Sequence, residues 1–248
     1  MFVFTEERTG VALAFTDRHG GVSSGPWESL NLGTSNGDDP DAVRGNHDRV
    51  AGAFGVPADA MARMSQVHGD AVHVSDGTSP RIPVADALIT TTPGLALLVR
   101  AADCLPVLMA DTEAAVAGAA HAGRPGLACA VAPATVAAMR ERGASAITAW
   151  LGPRVCGRCY EVPQAMRAEV AAVAPSAWSE TTWGTPALDI AAGVRAQLEA
   201  LGVDVVDLAD AVGRSAACTL ENEHLYSYRR QGRRSGRLGG LVRLTGPA

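Results

Sequence analysis

Five short apolar segments between residues 71 and 120 constrain the fold of this chain more than any other part of the sequence. Each has the length and the aliphatic content of a β-strand, and polar residues, glycine or proline separate it from the next. The predicted strands cover residues 71–75, 87–90, 95–100, 106–110 and 115–120. Strands that follow one another so closely predict a sheet in the middle of the protein.

Helical segments and further strands surround this region. Helices are predicted at residues 40–54, 127–142, 163–173 and 188–201, and strands at 10–16, 147–151, 203–208 and 240–244. Asp39 is predicted to cap the first helix, Pro40 suits its first position, and Gly55 is predicted to end it. The pattern predicts an α+β protein, built as a single mixed α/β domain over residues 1–248.

Size, charge and cysteine content limit the classes of function. The chain has 248 residues, 47% of them hydrophobic, so it can bury a substantial core. A net charge of −5 argues against nucleic acid as a partner, because that partner needs a broad basic face. No membrane span and no signal peptide are predicted. Five scattered cysteines favour reduced thiols and therefore a cytoplasmic protein, which we expect to be a monomer or a homodimer.

A predicted β-hairpin brings two metal-binding residue types together. Apolar runs flank the short polar segment at Thr112 and Glu113. If these two residues form the loop, Cys104 pairs with His121, and directly opposed side chains lie on one face with Cβ atoms ~5 Å apart. That separation suits two ligands of one metal ion.

His68, in a polar turn before a predicted strand, is a candidate third ligand. Two imidazoles and one thiolate suit zinc, and a vacant fourth position is typical of a catalytic site; copper is the chief alternative. Taken singly, Cys104 is better explained as a small buried side chain, and either histidine is better explained as a hydrogen-bonded polar residue. Only their predicted proximity favours a metal site.

Nine short motifs, in order along nearly the whole chain, resemble one known family. They are RHGGVS at 18–23, SLNLG at 29–33, GDDP at 37–40, QVHG at 66–69, ADALIT at 85–90, ADCLPV at 102–107, HAG at 121–123, CYEV at 159–162 and YSYRR at 226–230. The chain resembles the laccase-domain, or multicopper-polyphenol-oxidase-like, family of purine nucleoside phosphorylases. Each motif is weak alone, but nine in order are specific.

The resemblance implies a layered αββα arrangement, a cysteine-hydrolase-type fold. It implies His68, Cys104 and His121 as zinc ligands, because these are the residues of QVHG, ADCLPV and HAG that bind zinc in the family. It further implies phosphorolysis of adenosine, inosine or methylthioadenosine, with adenosine deamination as an additional activity. The expected partners are thus a small purine nucleoside and phosphate, with neither nucleic acid nor membrane.

The sequence departs from the family pattern in two places. Members usually have HAGWRG, where this chain has Arg124 and Pro125 in the fourth and fifth positions. The usual adjacent cysteines are here Cys156 and Cys159, separated by two residues. This spacing occurs in redox and zinc sites, but no second CxxC completes a structural site, and the sequence offers Cys218 no identifiable partner.

Acid and anion-binding residues are predicted from position. Asp103, beside Cys104, is a candidate acid or a support for the metal ligand; a hydrogen-bonded carboxylate at a strand end explains it as well. Arg229 and Arg230 lie in the YSYRR motif and are predicted to bind phosphate, with Arg18 in the glycine-rich turn as a further candidate. A solvated basic loop and an ordinary turn are the respective alternatives.

Three other functions remain open at this point. The same residues are compatible with a Cys-His hydrolase that uses Cys104 as nucleophile and acts on a cell-wall precursor. The family name also suggests a polyphenol oxidase, and a binding module without catalysis is a third possibility.

Overall fold

The computed structural model describes residues 1–79 and 81–246 of the chain, which form two mixed β-sheets with helices on their outer faces. The strands are β1 Phe2–Arg8, β2 Val11–Thr16, β3 Met61–Ala62, β4 Val72–Val74, β5 Ala87–Thr90, β6 Ala96–Ala101, β7 Leu105–Asp111, β8 Val116–Ala122, β9 Thr148–Leu151, β10 Trp178–Glu180, β11 Pro186–Leu188, β12 Asp204–Asp207 and β13 Leu238–Leu244. The first sheet has the order β1-β2-β13-β6-β3 and the second β12-β9-β7-β8-β5-β4, while β10 and β11 pair separately.

The helices are α1 Pro40–Ala53, α2 Arg124–Ala128, α3 Val131–Arg140, α4 Gln164–Val173, α5 Ile190–Glu199, α6 Leu208–Val212, α7 Arg214–Ala217 and α8 Tyr228–Gln231. Among the described residues, none of these helices combines the length and the apolar character that crossing a membrane requires. As predicted, Asp39 caps α1, and its carboxylate accepts a hydrogen bond from the backbone N–H of Asp41.

The two sheets pack face to face, and this packing produces the layers of the fold. Aliphatic side chains of both sheets, among them Leu13, Val99 and Leu108, form the core between them. A second core joins the six-stranded sheet to α3 and α5, and a third joins the five-stranded sheet to α1. Because each sheet has two apolar faces, one covered by the other sheet and one by helices, the order is αββα. The predicted fold class is confirmed; the extent of one domain over residues 1–248 stays a prediction, and residues 247–248 lie outside the described part.

Two predicted helices begin or break differently from expectation. The helix predicted at 127–142 is two helices, because Ala130 has a left-handed backbone (φ 60°) between α2 and α3. This break places Pro133 in the first turn of α3, where its missing N–H costs no helical hydrogen bond. The helix predicted from residue 188 begins at Ile190, since Asp189 caps it and Leu188 belongs to β11.

The predicted hairpin register was wrong by two residues. Asp111 pairs with Val116 and Leu105 with Ala122, so the loop has four residues, 112–115, and His121 lies opposite Pro106. The cause is Asp111, whose carboxylate accepts hydrogen bonds from the backbone N–H groups of Glu113 and Ala114 and so closes a wider turn. A slip of two residues keeps every side chain on its face, so Cys104 and His121 still lie on the same side.

The carboxylate of Asp111 predicts a measurable pH dependence of stability. Burial raises its pKa, but four backbone N–H groups, those of Ala114, Ser145, Ala146 and Glu113, lower the pKa below its ordinary value. A group with a depressed folded-state pKa stabilises the protein fully above its unfolded pKa of about 4, and the contribution is lost as the pH falls through the folded value.

We expect Asp111→Asn to lower the free energy of unfolding by about 1–3 kcal/mol near neutral pH, with a smaller difference from the wild type below about pH 3. Urea unfolding at both pH values measures it. Glu113→Gln, an exposed change in the same loop, serves as the matched control and should have little effect at either pH. If the free energy of unfolding of Asp111→Asn fell further below that of the wild type in acid, the stabilising role of the Asp111 carboxylate would be contradicted.

Candidate active site

The three predicted metal ligands lie together beside the edge where β7 begins. One donor atom from each of His68, Cys104 and His121 lies within 4.8 Å of the others. The Sγ atom of Cys104 is 3.7 Å from Nε2 of His68, and the rings of His68 and His121 are 4.7 Å apart between centroids. His121 is buried in β8, whereas His68 is exposed on a loop, so the group connects the protein interior with solvent.

Asp86, directly before β5, holds two of these ligands in place. Its carboxylate accepts three hydrogen bonds from the consecutive backbone N–H groups of Val67, His68 and Gly69, at 2.8–3.0 Å. These bonds fix His68 in a left-handed conformation (φ 64°) that a non-glycine residue adopts only when its surroundings impose it. Asp86 also accepts a hydrogen bond of 2.9 Å from Nδ1 of His121, which leaves Nε2 of that ring as the donor for a metal.

Gly123, which ends the HAG motif, makes room for the ligands. A Cβ atom at this position would lie 2.9 Å from Sγ of Cys104 and 3.0 Å from Cδ2 of His68. The contact with Sγ is shorter than a Cβ atom tolerates and the contact with Cδ2 is at the limit, so a larger residue at position 123 would push against both side chains. The absence of a side chain at Gly123 therefore allows Cys104 and His68 to lie close to each other.

The charges within the cluster favour the thiolate form of Cys104 and the protonated form of His121. Burial would raise the pKa of the Cys104 thiol, but His121 and His68 lower that pKa to about 6. Burial would likewise lower the pKa of His121, but Cys104 and Asp86 raise it to about 9. The result is a thiolate beside a protonated His121, whose positive charge Asp86 compensates, and a metal ion would displace the proton on Nε2 of His121.

This donor set fits a zinc ion. Zinc prefers thiolate sulfur and imidazole nitrogen, and catalytic sites commonly have three protein ligands. A carboxylate that orients the remote nitrogen of a metal-binding histidine is a common feature of such sites, and Asp86 supplies it here. Copper accepts the same donors, so the donor set fits either zinc or copper.

A cavity of about 1080 Å³ lies in front of the cluster, and arginines dominate its charge. The lining includes His68, Asp103, Cys104 and His121, two tyrosines, Tyr160 and Tyr228, and five arginines, Arg63, Arg100, Arg124, Arg229 and Arg237. Burial, with the charges of Arg63 and Arg237, lowers the pKa of Arg100 to about 10, so its guanidinium remains protonated at neutral pH. In a chain of net charge −5, so many cations in one cavity indicate an anionic ligand.

The structure separates the three arginines that the sequence predicted together. Arg229 lines the cavity, and its guanidinium lies 4.8 Å from the centre of the Tyr160 ring. Arg230 instead donates to the backbone carbonyls of residues 219, 220, 222 and 225. Arg18 donates to the carbonyl of Glu28 and covers the Tyr226 ring, so neither Arg18 nor Arg230 is among the cavity-lining residues.

Asp103 lies in the cavity wall with both carboxylate oxygens engaged. Oδ1 accepts a hydrogen bond of 2.6 Å from the hydroxyl of Thr219, and Oδ2 accepts one of 2.6 Å from the backbone N–H of Arg229. Its backbone is left-handed (φ 78°), like that of His68. These contacts connect the segment that carries Cys104 with the segment that carries Arg229.

The sequence did not predict Asp86, Arg63 or Arg100 as site residues. Asp86 belongs to the ADALIT motif, and a buried carboxylate before an apolar strand was the available signal. No comparable signal marked Arg63 or Arg100, because each lies near an unrelated apolar strand. Arg63, directly after β3, and Arg100, in β6, reach the cavity together because β3 and β6 are neighbours in the five-stranded sheet.

Comparisons with known proteins extend over nearly the whole chain. The model of a family described as multi-copper polyphenol oxidoreductase laccase matches residues 12–245. A purine nucleoside phosphorylase of Streptomyces coelicolor is 55% identical over 238 residues, which cover 94% of this chain and 95% of that protein. The purine nucleoside phosphorylase YfiH of Escherichia coli is 37% identical over 235 residues, with coverage of 94% and 93%.

Solved structures also resemble the chain over nearly its whole length. The crystal structure of a Neisseria meningitidis protein superposes with a TM-score of 0.85 at 34% sequence identity and covers 98% of this chain and 99% of that one. YlmD from Geobacillus stearothermophilus gives a TM-score of 0.85 at 28% identity, with coverage of 99% and 100%. The two sheets and the cavity between their ends thus fall within the region of similarity.

Proposed function

The chain belongs to the multi-copper polyphenol oxidoreductase laccase family, and from that premise we propose that it is a zinc-dependent purine nucleoside phosphorylase. Its substrates are phosphate and a purine nucleoside: adenosine, inosine or methylthioadenosine. Adenosine deamination is a second activity of the same site. The enzyme acts in the cytoplasm, where its free cysteines stay reduced.

One observation carries this proposal: an arginine-lined cavity of about 1080 Å³ opens onto a cluster of metal-binding side chains. Phosphorolysis needs a place for an inorganic anion beside a place for a nucleoside, and this cavity is large enough for both. Relatives named purine nucleoside phosphorylases, at 37–55% identity, support the same reaction.

We assign phosphate binding to Arg229 and Arg124. Within the described residues, neither guanidinium group donates a hydrogen bond to a protein acceptor, so both are available to an anion. Arg124 occupies the position where the family usually has tryptophan, and its reach into the cavity replaces the missing arginine one position later. Each guanidinium group can donate two parallel hydrogen bonds to phosphate oxygens. These bonds orient the phosphate, which is the nucleophile, and neutralise its charge.

Tyr228 and Asp103 have positioning roles in this proposal. Tyr228 is 46% exposed and lines the cavity, where its ring offers an aromatic face to the purine. Asp103 accepts the backbone N–H of Arg229 and the hydroxyl of Thr219, so it holds the phosphate-binding segment rather than donating a proton. His68, Cys104 and His121 hold zinc, which supplies charge stabilisation by Lewis acidity when bound.

The test measures base release from adenosine with and without phosphate. We expect free base and ribose 1-phosphate only when phosphate is present, and ammonia release as a separate, phosphate-independent signal. Arg229→Met should raise the KM for phosphate about tenfold or more, because a hydrogen bond to a charged group contributes about 1.5–3 kcal/mol. The matched control, Arg233→Met, removes an exposed arginine outside the cavity lining and should leave that KM unchanged. Base release that does not depend on phosphate would contradict phosphorolysis.

A Cys-His hydrolase is the second candidate, since the Cys104 thiolate beside protonated His121 is the arrangement such enzymes use. Zinc analysis of the wild-type and Cys104→Ala chains, both purified without added metal, separates the two. The phosphorylase proposal requires the zinc content to fall by one ion per chain in the variant, whereas the hydrolase needs no metal at Cys104 and predicts no change. The same analysis tests the oxidase alternative, which requires copper.

A further inference from the structure

A second group of metal-binding side chains lies outside the cavity lining. Cys156, Cys159, Cys218 and Glu221 each offer one ligand atom, and these four atoms all lie within 4.8 Å of one another. We call this group the thiol cluster. The three thiols are free and buried, while the carboxylate of Glu221 is partly exposed, with 27% of its side-chain surface accessible.

The thiol cluster is built from two turns of the same kind. In the first, the N–H of Tyr160 donates to the carbonyl of Cys156, at 3.0 Å; in the second, the N–H of Asn222 donates to the carbonyl of Cys218, at 2.9 Å. Such α-turns place residues i and i+3 on one side. Cys156 and Cys159 are therefore one pair of ligands, and Cys218 and Glu221 are a second pair with the same spacing.

Contacts between the two turns already bring the ligand atoms together. The thiol of Cys159 donates to Oε1 of Glu221 at 3.0 Å, and the backbone N–H of Cys156 lies 3.4 Å from Sγ of Cys218. Arg214 donates to Sγ of Cys156 at 3.1 Å and to Oε1 of Glu221 at 2.7 Å. A guanidinium at this distance stabilises anionic sulfur and oxygen, the forms in which these groups bind a metal.

We propose that Cys156, Cys159, Cys218 and Glu221 bind one zinc ion as a structural site. Three thiolates and one carboxylate are ligands that zinc accepts, and four protein ligands leave no position for a substrate. A disulfide would use two of the three thiols and leave the third unexplained. With the carboxylate of Glu221, the three thiols instead make a tetrahedral set of four ligands. The site is distinct from the cavity cluster, since the two share no ligand and this proposal does not depend on the enzymatic activity.

The thiol cluster is placed where a metal would hold the cavity wall. Val155 and Tyr160, which bracket the first turn, both line the cavity. Thr219, next to Cys218 in the second turn, donates to Asp103, the neighbour of Cys104. A metal that joins the two turns would hold these wall residues together and stabilise the folded chain, because binding to the native state alone adds to the free energy of unfolding.

The test uses the Cys104→Ala chain, in which the cavity cluster has lost its thiolate. After expression with zinc, a wash with a mild chelator and gel filtration, we expect elemental analysis to find one zinc per chain. Adding Cys218→Ser should remove that zinc, whereas adding Cys129→Ser, which changes an exposed cysteine outside the cluster, should not. Far-ultraviolet circular dichroism establishes whether each variant is folded.

Cobalt binding tests the site without requiring the Cys218→Ser variant to fold. Metal-free Cys104→Ala protein loaded with Co²⁺ should show thiolate-to-cobalt charge transfer and the strong visible bands of tetrahedral cobalt. Glu221→Gln, which keeps the size of the side chain and all three thiols, should shift the visible bands and weaken zinc retention. The proposal is overturned if the Cys104→Ala chain holds no zinc and gives no thiolate band. It is also overturned if the mass of the folded chain shows two hydrogens lost to a disulfide among these cysteines.

Discussion

The Cys104→Ala variant is expected to lose nucleoside phosphorolysis by a factor on the order of 10³ or more while it remains folded. A catalytic metal contributes several kcal/mol to the transition state, and each 1.36 kcal/mol is a factor of ten in rate. Removing the thiolate leaves His68 and His121 as the remaining ligands of the cavity cluster. Alanine is smaller than cysteine and Cys104 is only half-buried, so the fold should tolerate the change.

The measurement pairs kcat/KM for adenosine and phosphate with the zinc content of the same preparation. Zinc should fall by one ion per chain together with the activity. Cys129→Ala, at an exposed cysteine at the end of α2, should change neither quantity. Turnover at the wild-type rate in a Cys104→Ala preparation would show that neither a metal held by this thiolate nor a Cys104 nucleophile is required.

The sequence predicted the fold class and the proximity of His68, Cys104 and His121 because both depend on local information. Strand-length apolar runs predicted β5 residue for residue, and the motifs QVHG, ADCLPV and HAG marked His68, Cys104 and His121. The hairpin register failed because the Asp111 carboxylate binds backbone N–H groups and widens the loop. Cys104 and His121 still lie close together, since a two-residue slip preserves the face of each side chain.

Long-range packing determines which arginines reach the cavity, and a sequence pattern does not contain that information. Arg229 and Arg230 are adjacent in one motif, yet Arg229 faces the cavity while Arg230 binds the carbonyls of its own loop. Arg100 reaches the cavity from β6, where a charged residue among apolar ones gave no hint of its neighbours. The pairing of CxxC with Cys218 and Glu221 was hidden for the same reason, because about sixty residues separate the two turns.

Asp86→Asn is expected to weaken zinc binding at the cavity cluster about 10–100-fold, because a carboxylate that orients a metal-binding histidine commonly contributes that much. The fully buried Asp86 accepts four hydrogen bonds, one from Nδ1 of His121 and three from the backbone of the His68 loop. Asparagine has the same shape but one oxygen, so its amide N–H₂ would face an N–H donor on one side. We expect His68 and His121 to lose their fixed orientation, with a cost of about 1–3 kcal/mol in the free energy of unfolding.

Zinc titration against a competing chelator measures the dissociation constant, and activity is assayed at increasing zinc. If Asp86 acts by positioning the ligands, excess zinc should restore much of the turnover, which it would not do for a group that takes part in the reaction. Asp76→Asn is the matched control, because Asp76 also accepts hydrogen bonds in a turn, from Thr78, but lies outside the cavity lining. An Asp86→Asn variant with unchanged zinc affinity would mean that the backbone of the 66–69 loop and the packing around Gly123 hold the ligands without this carboxylate.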